Sequence, residues 1–575
     1  MGLFSQKDYS GGLNLLTSDT LLNASEYRLL VNARNRFGPI EPVQKHIELD
    51  NAPIGLKQGI IGVGATVLLF VGGKGYYRVD GDDTWHLLLG LQMDPSVEQY
   101  YLCAVPASFK DFVRKSNANV SAPITITNDF KVNGTPAGVV VQDGITQPWF
   151  VEFDIANDIW VARQLGDYHS WANINIDASD REYVPIGKQM CYISGKLLIV
   201  SRDGTQVYHS ISGRPLDFMV ITDTNGNKLP LESNGGAERV SYGFDFDVIN
   251  CMIPCNTPDS FWIGSSHNLR IITLDYTRTI YGEPLYNVSG LFNVGVVNQF
   301  SLIDTLGDFA CIDFDGVKSI NAVQSLKFRG RNSIFSLNVM KLFRTSKTKR
   351  IKQKDTSCIQ FDNYILFNVD TRYGNLTLVY DLILSKWISF DITRVHHVKQ
   401  FTTTEIPTET KLYCITKDNK VWQMFADSVT EVAIARTKSY IRTDSVISQT
   451  EQTGFGQTEH KGQMLNCAFV QGTFTGKCEV VEYIDEQESV ASREIKAINV
   501  IIPGIKFPIR MPVVPNTQQQ VNNLTFSLTK GLSGKKVSYI IMWNNDCHLL
   551  EHEVMTSDIG NKVSGRQKQE VYKKN

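Results

Sequence analysis

Tyr364-Ile-Leu-Phe-Asn-Val-Asp-Thr-Arg-Tyr-Gly-Asn-Leu-Thr-Leu-Val-Tyr-Asp-Leu-Ile-Leu-Ser-Lys-Trp-Ile-Ser-Phe390 reads as three short strands in succession. Tyr364 to Val369 is an apolar run of aromatic and β-branched residues, and Asp370 to Asn375 carries turn residues with Gly374-Asn375 at the tip. Leu376 to Tyr380 then alternates, and Asp381 to Lys386 turns the chain into Trp387-Ile-Ser-Phe390. Strands this short, punctuated by Asn, Gly and Asp, form an antiparallel meander. A meander with two apolar faces is stable only when neighbours cover both, as in a propeller blade.

The pattern recurs. Val151-Glu-Phe-Asp-Ile-Ala-Asn-Asp-Ile-Trp160 repeats the spacing, with Asp154 and Trp160 standing where Asp381 and Trp387 do. Looser strand-turn-strand copies run over Val67 to Val79, Lys196 to Ser210, Ser260 to Asp275, Asp308 to Val323 and Lys411 to Phe425. Their turns are Gly72-Gly73, Asp203-Gly204, His267-Asn268, Asp315-Gly316 and Asp418-Asn419. Intervals scatter around roughly 50 residues, the period of kelch-like blades. The expected fold is mainly β: a β-propeller of six or seven blades, preceded by a short helix and followed by a β-sandwich-like domain.

The boundaries follow composition. Residues 1–50 read as an N-terminal arm with a helix from about 24 to 36, because Asn23 with Glu26 is a capping-box variant and Tyr27, Leu30, Val31 and Arg34 recur at helical spacing. Its Arg28, Arg34 and Arg36 are expected to face solvent. Residues 51–430 hold the propeller, with a longer insertion over Ser96 to Val140 that includes a short helical pattern at Phe109, Phe112 and Val113. A hairpin is expected at Asn225-Gly226. Residues 431–462 are a polar linker. In 463–556, Leu465 to Phe474, Cys478 to Ile484, Leu524 to Leu528 and Val537 to Trp543 alternate as strands of a small sandwich. Residues 557–575 form a polar tail.

Hydrophobic content of 42%, charged content of 20% and a formal net charge of −2 give no overall field toward nucleic acid or membrane. Ten cysteines without a C-x-x-C pair suit reduced thiols in apolar strands rather than a disulfide framework. The opening Met1-Gly-Leu-Phe-Ser-Gln-Lys-Asp lacks the basic and apolar regions of a secretory signal, and the apolar stretch Ile60 to Val71 is too short to span a bilayer. No membrane span is expected.

Charge is concentrated in one place. Lys-Leu-Phe-Arg-Thr-Ser-Lys-Thr-Lys-Arg-Ile-Lys-Gln-Lys, residues 341–354, holds seven basic residues and no acid. Lys341, Arg344, Lys347, Lys349, Arg350, Lys352 and Lys354 are therefore the candidates for facing DNA or an acidic partner. The plainer alternative is a solvated link between blades. Phe343 is its one aromatic, so stacking on single-stranded bases has little support.

Enzyme signatures mostly fail. His548-Leu-Leu-Glu-His552 fits the inverted zinc-peptidase spacing, but a strand precedes it and a poor helix former follows. Asp80-Gly-Asp-Asp-Thr-Trp85 is similar to a sialidase Asp-box with its glycine displaced, and that box is structural in its own family. Asp223-Thr-Asn-Gly-Asn-Lys lacks the sixth-position glycine of an EF-hand loop. No P-loop, G-x-S-x-G or dinucleotide fingerprint is present. Trp149, Trp160, Trp262, Trp387 and Trp422 are read as anchors between blades. Neither catalytic residues nor a cofactor nor a metal is expected.

Three segments together resemble one family. Gly11-Gly-Leu-Asn-Leu-Leu-Thr-Ser-Asp-Thr-Leu-Leu-Asn-Ala-Ser-Glu-Tyr-Arg-Leu-Leu-Val-Asn-Ala-Arg-Asn-Arg-Phe-Gly-Pro39 looks like an opening in which a short helix with Asn-x-Arg leads to a glycine and the first blade. Val207-Tyr-His-Ser-Ile-Ser-Gly-Arg-Pro-Leu-Asp-Phe218 is similar to a blade segment with Pro-x-Asp-Phe after a Tyr-x-Ser strand. Phe261-Trp-Ile-Gly-Ser-Ser-His-Asn-Leu-Arg-Ile-Ile-Thr-Leu274 resembles a recurring strand pair. The family is that of the packaged-DNA stabilisation (tail hub or nozzle) proteins of short-tailed bacteriophages. The resemblance covers roughly residues 10 to 430. It implies a non-enzymatic subunit of a homo-oligomeric ring, six-fold or a multiple, that closes the head–tail channel, assembles in the host cytoplasm and resides in the virion. Its implied partners are other phage tail or connector proteins and, by proximity rather than sequence, packaged DNA. Two other readings stay open: a carbohydrate-active or lectin-like propeller, and a kelch-like adapter.

Overall fold

The computed structural model describes residues 2–6, 9–17, 21–36, 40–106, 112–114, 131–132, 135–136, 138–154, 157–165, 168–170, 184–210, 215–216, 218, 238–242, 247–280, 283–292, 294–305, 308–313, 316–319, 334–346, 349–436, 440–441, 467–473, 477–484, 487–488, 493–496, 521–527, 536–543 and 552–556. Among these, strands dominate and form a succession of small antiparallel sheets. Tyr364–Thr371, Gly374–Asp381 and Lys386–Asp391 are the three strands expected around Tyr364, with Ser357–Phe361 added before them. The first hairpin is tighter than its composition suggests. Pairing continues to Thr371 and Gly374, so Arg372-Tyr373 forms the tip, and Gly374 takes the positive φ there.

Six further sheets repeat this meander. Their first strands are Lys57–Val63, Tyr101–Val105, Gly187–Ile193, Ile249–Pro254, Leu302–Thr305 and Val398–Ile406. In chain order, with Ser357–Phe361 sixth, these define sheets 1 to 7. Each first strand lies beside the next, and that of sheet 7 lies beside that of sheet 1, so the first strands close a propeller-like ring. Gly72-Gly73, Asp203-Gly204, His267-Asn268 and Asp418-Asn419 join the second and third strands of their sheets, and Gly316 opens the third strand of sheet 5, while Asp315 lies outside the described residues. Asp154 and Asp381 both end third strands, and Trp160 and Trp387 both open onto fourth strands.

Packing explains why the middle strands are continuously apolar. Successive side chains on a strand point to opposite faces, and both faces here meet another sheet. Leu68 and Phe70 enter the core between sheets 1 and 2, while Val67, Leu69 and Val71 enter the core between sheets 7 and 1. Leu197 and Ile199 pack toward sheet 2, and Leu198 and Val200 toward sheet 4. A separate apolar cluster fills each junction around the ring. The five tryptophans read as anchors are all buried, as are most of the described cysteines.

Polar latches reinforce every junction near the first strands. Gln58 Nε2 donates to Val97 O (2.7 Å), Gln142 Oε1 accepts from Gly187 N, and Gln189 Nε2 donates to Asn250 O (3.1 Å). Asn250 Nδ2 donates to Val296 O (2.8 Å), Asn298 Nδ2 to Thr356 O (2.9 Å) and Ser357 Oγ to Val398 O (2.8 Å). The last junction is bidentate: Gln400 Oε1 accepts from Ile60 N (3.2 Å) and Gln400 Nε2 donates to Ile60 O (2.6 Å). There the sheets approach so closely that a Cβ on Gly62 would strike the Thr403 carbonyl. Gln400→Leu leaves two buried main-chain groups unpaired, so a loss of about 2–3 kcal/mol is expected in urea unfolding. A change under about 0.5 kcal/mol would show the latch to be dispensable.

The N-terminal segment is the main correction. Residues 24–36 form no helix but three short strands, Glu26–Tyr27, Leu29–Val31 and Ala33–Arg34. The capping-box contact does exist, since Asn23 N donates to Glu26 Oε2 (2.9 Å), but it closes a turn. Tertiary partners override local propensity. Leu29–Val31 is added to the outer edge of sheet 6 beside Lys386–Asp391, and on its other side pairs with Ala433–Arg436. Arg34 and Arg36 then face carboxylates rather than water. Farther on, Ile47–Glu48 pairs with Val421–Met424 and supplies the fourth strand of sheet 7, so a part of the expected arm closes the ring.

The same added strand leads to the C-terminal region. Ala433–Arg436 pairs with Lys536–Trp543, which pairs with Lys477–Ile484. Cys467–Thr473 pairs with Val521–Ser527, and Gly2–Gln6 with His552–Thr556. These strands fall close to the sequence-derived ones. In the insertion of sheet 2, Phe112–Arg114 is a strand paired with Tyr168–Ser170 and not a helical turn, because its partner supplies the hydrogen bonds a turn would otherwise make internally. In the same insertion Lys131–Val132 pairs antiparallel with Thr135–Pro136. The Asn225-Gly226 hairpin, the Asp223 loop, most of the 431–462 linker and the 557–575 tail lie outside the described residues.

Candidate functional site: the basic segment and the ring entrance

Sheet 5 has three strands among the described residues. Beside its last one, Gly316–Ser319, lies a 3-10 helix, Ile334–Phe343, whose Val339, Leu342 and Phe343 are buried in the core between sheets 5 and 6. Gly316, at φ 130°, lets the Phe343 ring lie against the backbone. The basic segment emerges from this anchor as a tight hairpin. Arg344 and Arg350 form an antiparallel bridge, Thr345 N donates to Lys349 O (3.0 Å) and Ile351 N to Phe343 O (2.9 Å).

The seven candidates are not equivalent. Lys341 is exposed but its ammonium donates to Leu16 O (2.9 Å), which ties it to the N-terminal segment. Arg344 and Arg350 are half-buried on the bridge. Lys349, Lys352 and Lys354 are exposed. Lys347 lies outside the described residues. Between Lys352 and Lys354, Gln353 is buried and clamps the main chain of sheet 6: its Nε2 donates to Asp370 O (2.8 Å) and its Oε1 accepts from Asp370 N (2.9 Å). The alternation holds both lysines on the solvent side of a fixed backbone.

The segment runs into the first strand of sheet 6, at the entrance to the ring. Asp355 there pairs with Lys417, from the second turn of sheet 7. Lys399, the second residue of the first strand of sheet 7, reaches Lys57 O (3.4 Å). Burial pushes the Lys399 ammonium down from its ordinary value, against the pull of Glu98 and Asp355. Lys57, Glu98, Asp355, Lys399 and Lys417 gather here because the ring closes. No local pattern announces them, since they come from four different sheets or their leads. The arrangement is electrostatic: exposed ammonium groups of Lys349, Lys352 and Lys354 beside a mixed-charge entrance, fit for contact with a polyanion or an acidic protein surface.

Other chemistry is weakly provided. Burial pushes the Cys103 thiol up to about 12 and raises Cys191, Cys251, Cys358 and Cys414 as well, so these thiols stay protonated. Among the described residues no group of three or more His, Cys, Asp or Glu could hold a metal ion. His548 and Glu551 lie outside the described residues, and His552 begins a strand paired with Gln6. Among the described residues no helix is long and apolar enough to cross a membrane.

No family model matches this chain, and no curated protein matches it. Among solved structures, the β-propeller domain of Cps50 (Swd1) from Myceliophteria thermophila is similar to it with a TM-score of 0.33 and 7% identity, over 66% of this chain and 99% of that one.

Proposed function

We propose that this protein is a structural, ring-forming subunit of a virion tail, in which the seven sheets are the blades of a β-propeller and the C-terminal strands a sandwich-like domain on its rim. Copies assemble into a larger ring, six-fold or a multiple, that closes the head–tail channel and helps retain packaged DNA. The observation that carries this reading is the sheet running from Lys386–Asp391 through Leu29–Val31 and Ala433–Arg436 into Lys536–Trp543. Main-chain pairing from strand to strand joins the second β-region to the propeller, the two-part build expected of a ring subunit that retains packaged DNA. The three family-like segments support it from sequence; two of them, Val207–His209 and Ser260–Ser265 with Leu269–Ile280, fall in sheets 3 and 4.

Light scattering with negative-stain imaging of the purified protein tests the reading. Rings of six copies or a multiple are expected, alone or on incubation with capsids carrying their connector. A protein that stays monomeric in both settings overturns it. For the DNA contact, replacing Lys349, Lys352 and Lys354 by Gln is expected to weaken duplex binding across all sequences. The slope of log affinity against log salt should become shallower by up to about 3. An unchanged slope removes the basic segment from the DNA-facing surface.

A further inference from the structure

The turn joining Tyr364–Thr371 to Gly374–Asp381 is tied to both ends of the basic segment. At one end Arg372 N donates to Leu342 O (2.9 Å), in the last turn of the 3-10 helix. At the other, Gln353 holds both main-chain groups of Asp370. The tip is braced from within as well: Tyr373 N donates to Thr371 Oγ1 (3.2 Å), and Thr371 Oγ1 to Gly374 O (2.7 Å). Gly374 takes the positive φ, so the turn itself asks for neither arginine nor tyrosine. Neither side chain is spent on a core. Tyr373 is 68% exposed, whereas Phe343, the aromatic of the basic run, is 2% exposed and closed to a ligand. Arg372 is exposed too, and its guanidinium lies 4.9 Å from the Tyr373 ring centroid. Among the described residues no carboxylate pairs with Arg372, Lys349, Lys352 or Lys354.

We infer that Arg372-Tyr373 is a stacking platform for an unpaired base, so that this face takes single-stranded DNA, such as a frayed duplex end. The inference rests on reading the basic segment as the DNA-facing surface, and it names the form of DNA that surface suits. Exposed ammonium groups follow the phosphates of either form. An exposed ring adds affinity only where a base has left its own stack, because a paired duplex keeps its base faces covered. The guanidinium beside the ring adds a second planar group, and a cation, to the same platform. An acidic protein surface uses the same cations and leaves the ring idle.

Fluorescence anisotropy on the full chain tests this, with labelled oligo-dT, a duplex of the same length and poly-glutamate as probes. Tyr373→Leu is expected to weaken oligo-dT binding at least about fivefold, the low end for one lost base–aromatic stack, and to leave duplex binding unchanged. Its salt slope should stay that of the parent because no charge is lost, which separates stacking from the lysine contacts. Tyr373→Phe keeps the ring and should retain the parent affinity. Equal oligo-dT binding by the parent and Tyr373→Leu overturns the inference, as does an equal loss on duplex and single strand. Binding of poly-glutamate without oligo-dT overturns it in favour of an acidic protein partner. The DNA-facing reading fails by a different result, an absence of binding to both duplex and single strand, and takes the inference with it.

Discussion

Asp391→Ala is expected to cost roughly 3–5 kcal/mol, the range for stripping one partner from a buried ion pair. Asp391 accepts from Arg34 through both oxygens, at 2.9 Å to Nη1 and 2.7 Å to Nη2, and is 3% exposed. Arg34 Nη1 also donates to Ser389 Oγ (3.0 Å), and its guanidinium lies 5.5 Å from the Tyr364 ring centroid and 5.7 Å from that of Phe425. With the carboxylate gone, that cation is left largely buried against aromatic faces with no counter-charge. The damage should be local first, because the pair joins the N-terminal segment to sheet 6. Hydrogen exchange is expected to accelerate at residues 29–48 before it does so in sheets 2 to 4. The double variant Arg34→Met with Asp391→Leu should recover most of the loss, since two apolar groups of similar volume leave no orphan charge. If Asp391→Ala unfolds at the same urea concentration as the parent, the clasp does not hold the segment.

That pair also shows where sequence reading succeeded and where it stopped. The repeated meanders were legible because each is local: strand, turn and strand lie within about twenty residues, and the turn residues at Asp203-Gly204 or Asp418-Asn419 carry their own backbone requirement. Alternation toward two cores was legible too, as continuous apolar runs such as Val67 to Val71. The fate of residues 24–36 was not. Tyr27, Leu30, Val31 and Arg34 fit a helical period, yet Tyr27 Oη donates to Ile388 O (2.6 Å) and Asn32 donates to Ile392 O and Val432 O (both 3.2 Å), across some 360 to 400 residues. Nothing near Asn32 encodes those partners. The closing strand Ile47–Glu48 is likewise two residues long and is defined only by what it meets. For the candidate site, the charge run was visible and its hairpin was not. Gln353, which orients Lys352 and Lys354, looked like one more polar residue. The entrance charges come together only once sheet 7 meets sheet 1.

Acid should loosen the protein at the same clasp, through His46. Phe425 N donates to His46 Nδ1 (3.0 Å), so the ring must be neutral at that nitrogen, and the two side chains meet edge to face at 4.9 Å. Burial pushes the imidazole down to about 4; Asp391 opposes this and Arg34 adds to it. In the unfolded chain the same group titrates near 6.5. Between those two values the unfolded form binds the extra proton, so stability falls as the pH falls. The contribution is fully present above about 6.5 and is lost progressively down to about 4, amounting to roughly 3 kcal/mol. Protonation would set an N–H donor against the Phe425 N–H and a second cation beside Arg34. His46→Gln can accept from Phe425 N through its amide oxygen without titrating. The stability of the parent relative to this variant is expected to be flat from pH 8 to 6.5 and to decline from there to pH 4. A difference that stays constant through that window would mean that His46 protonates without opening the contact, and that acid acts elsewhere on the fold.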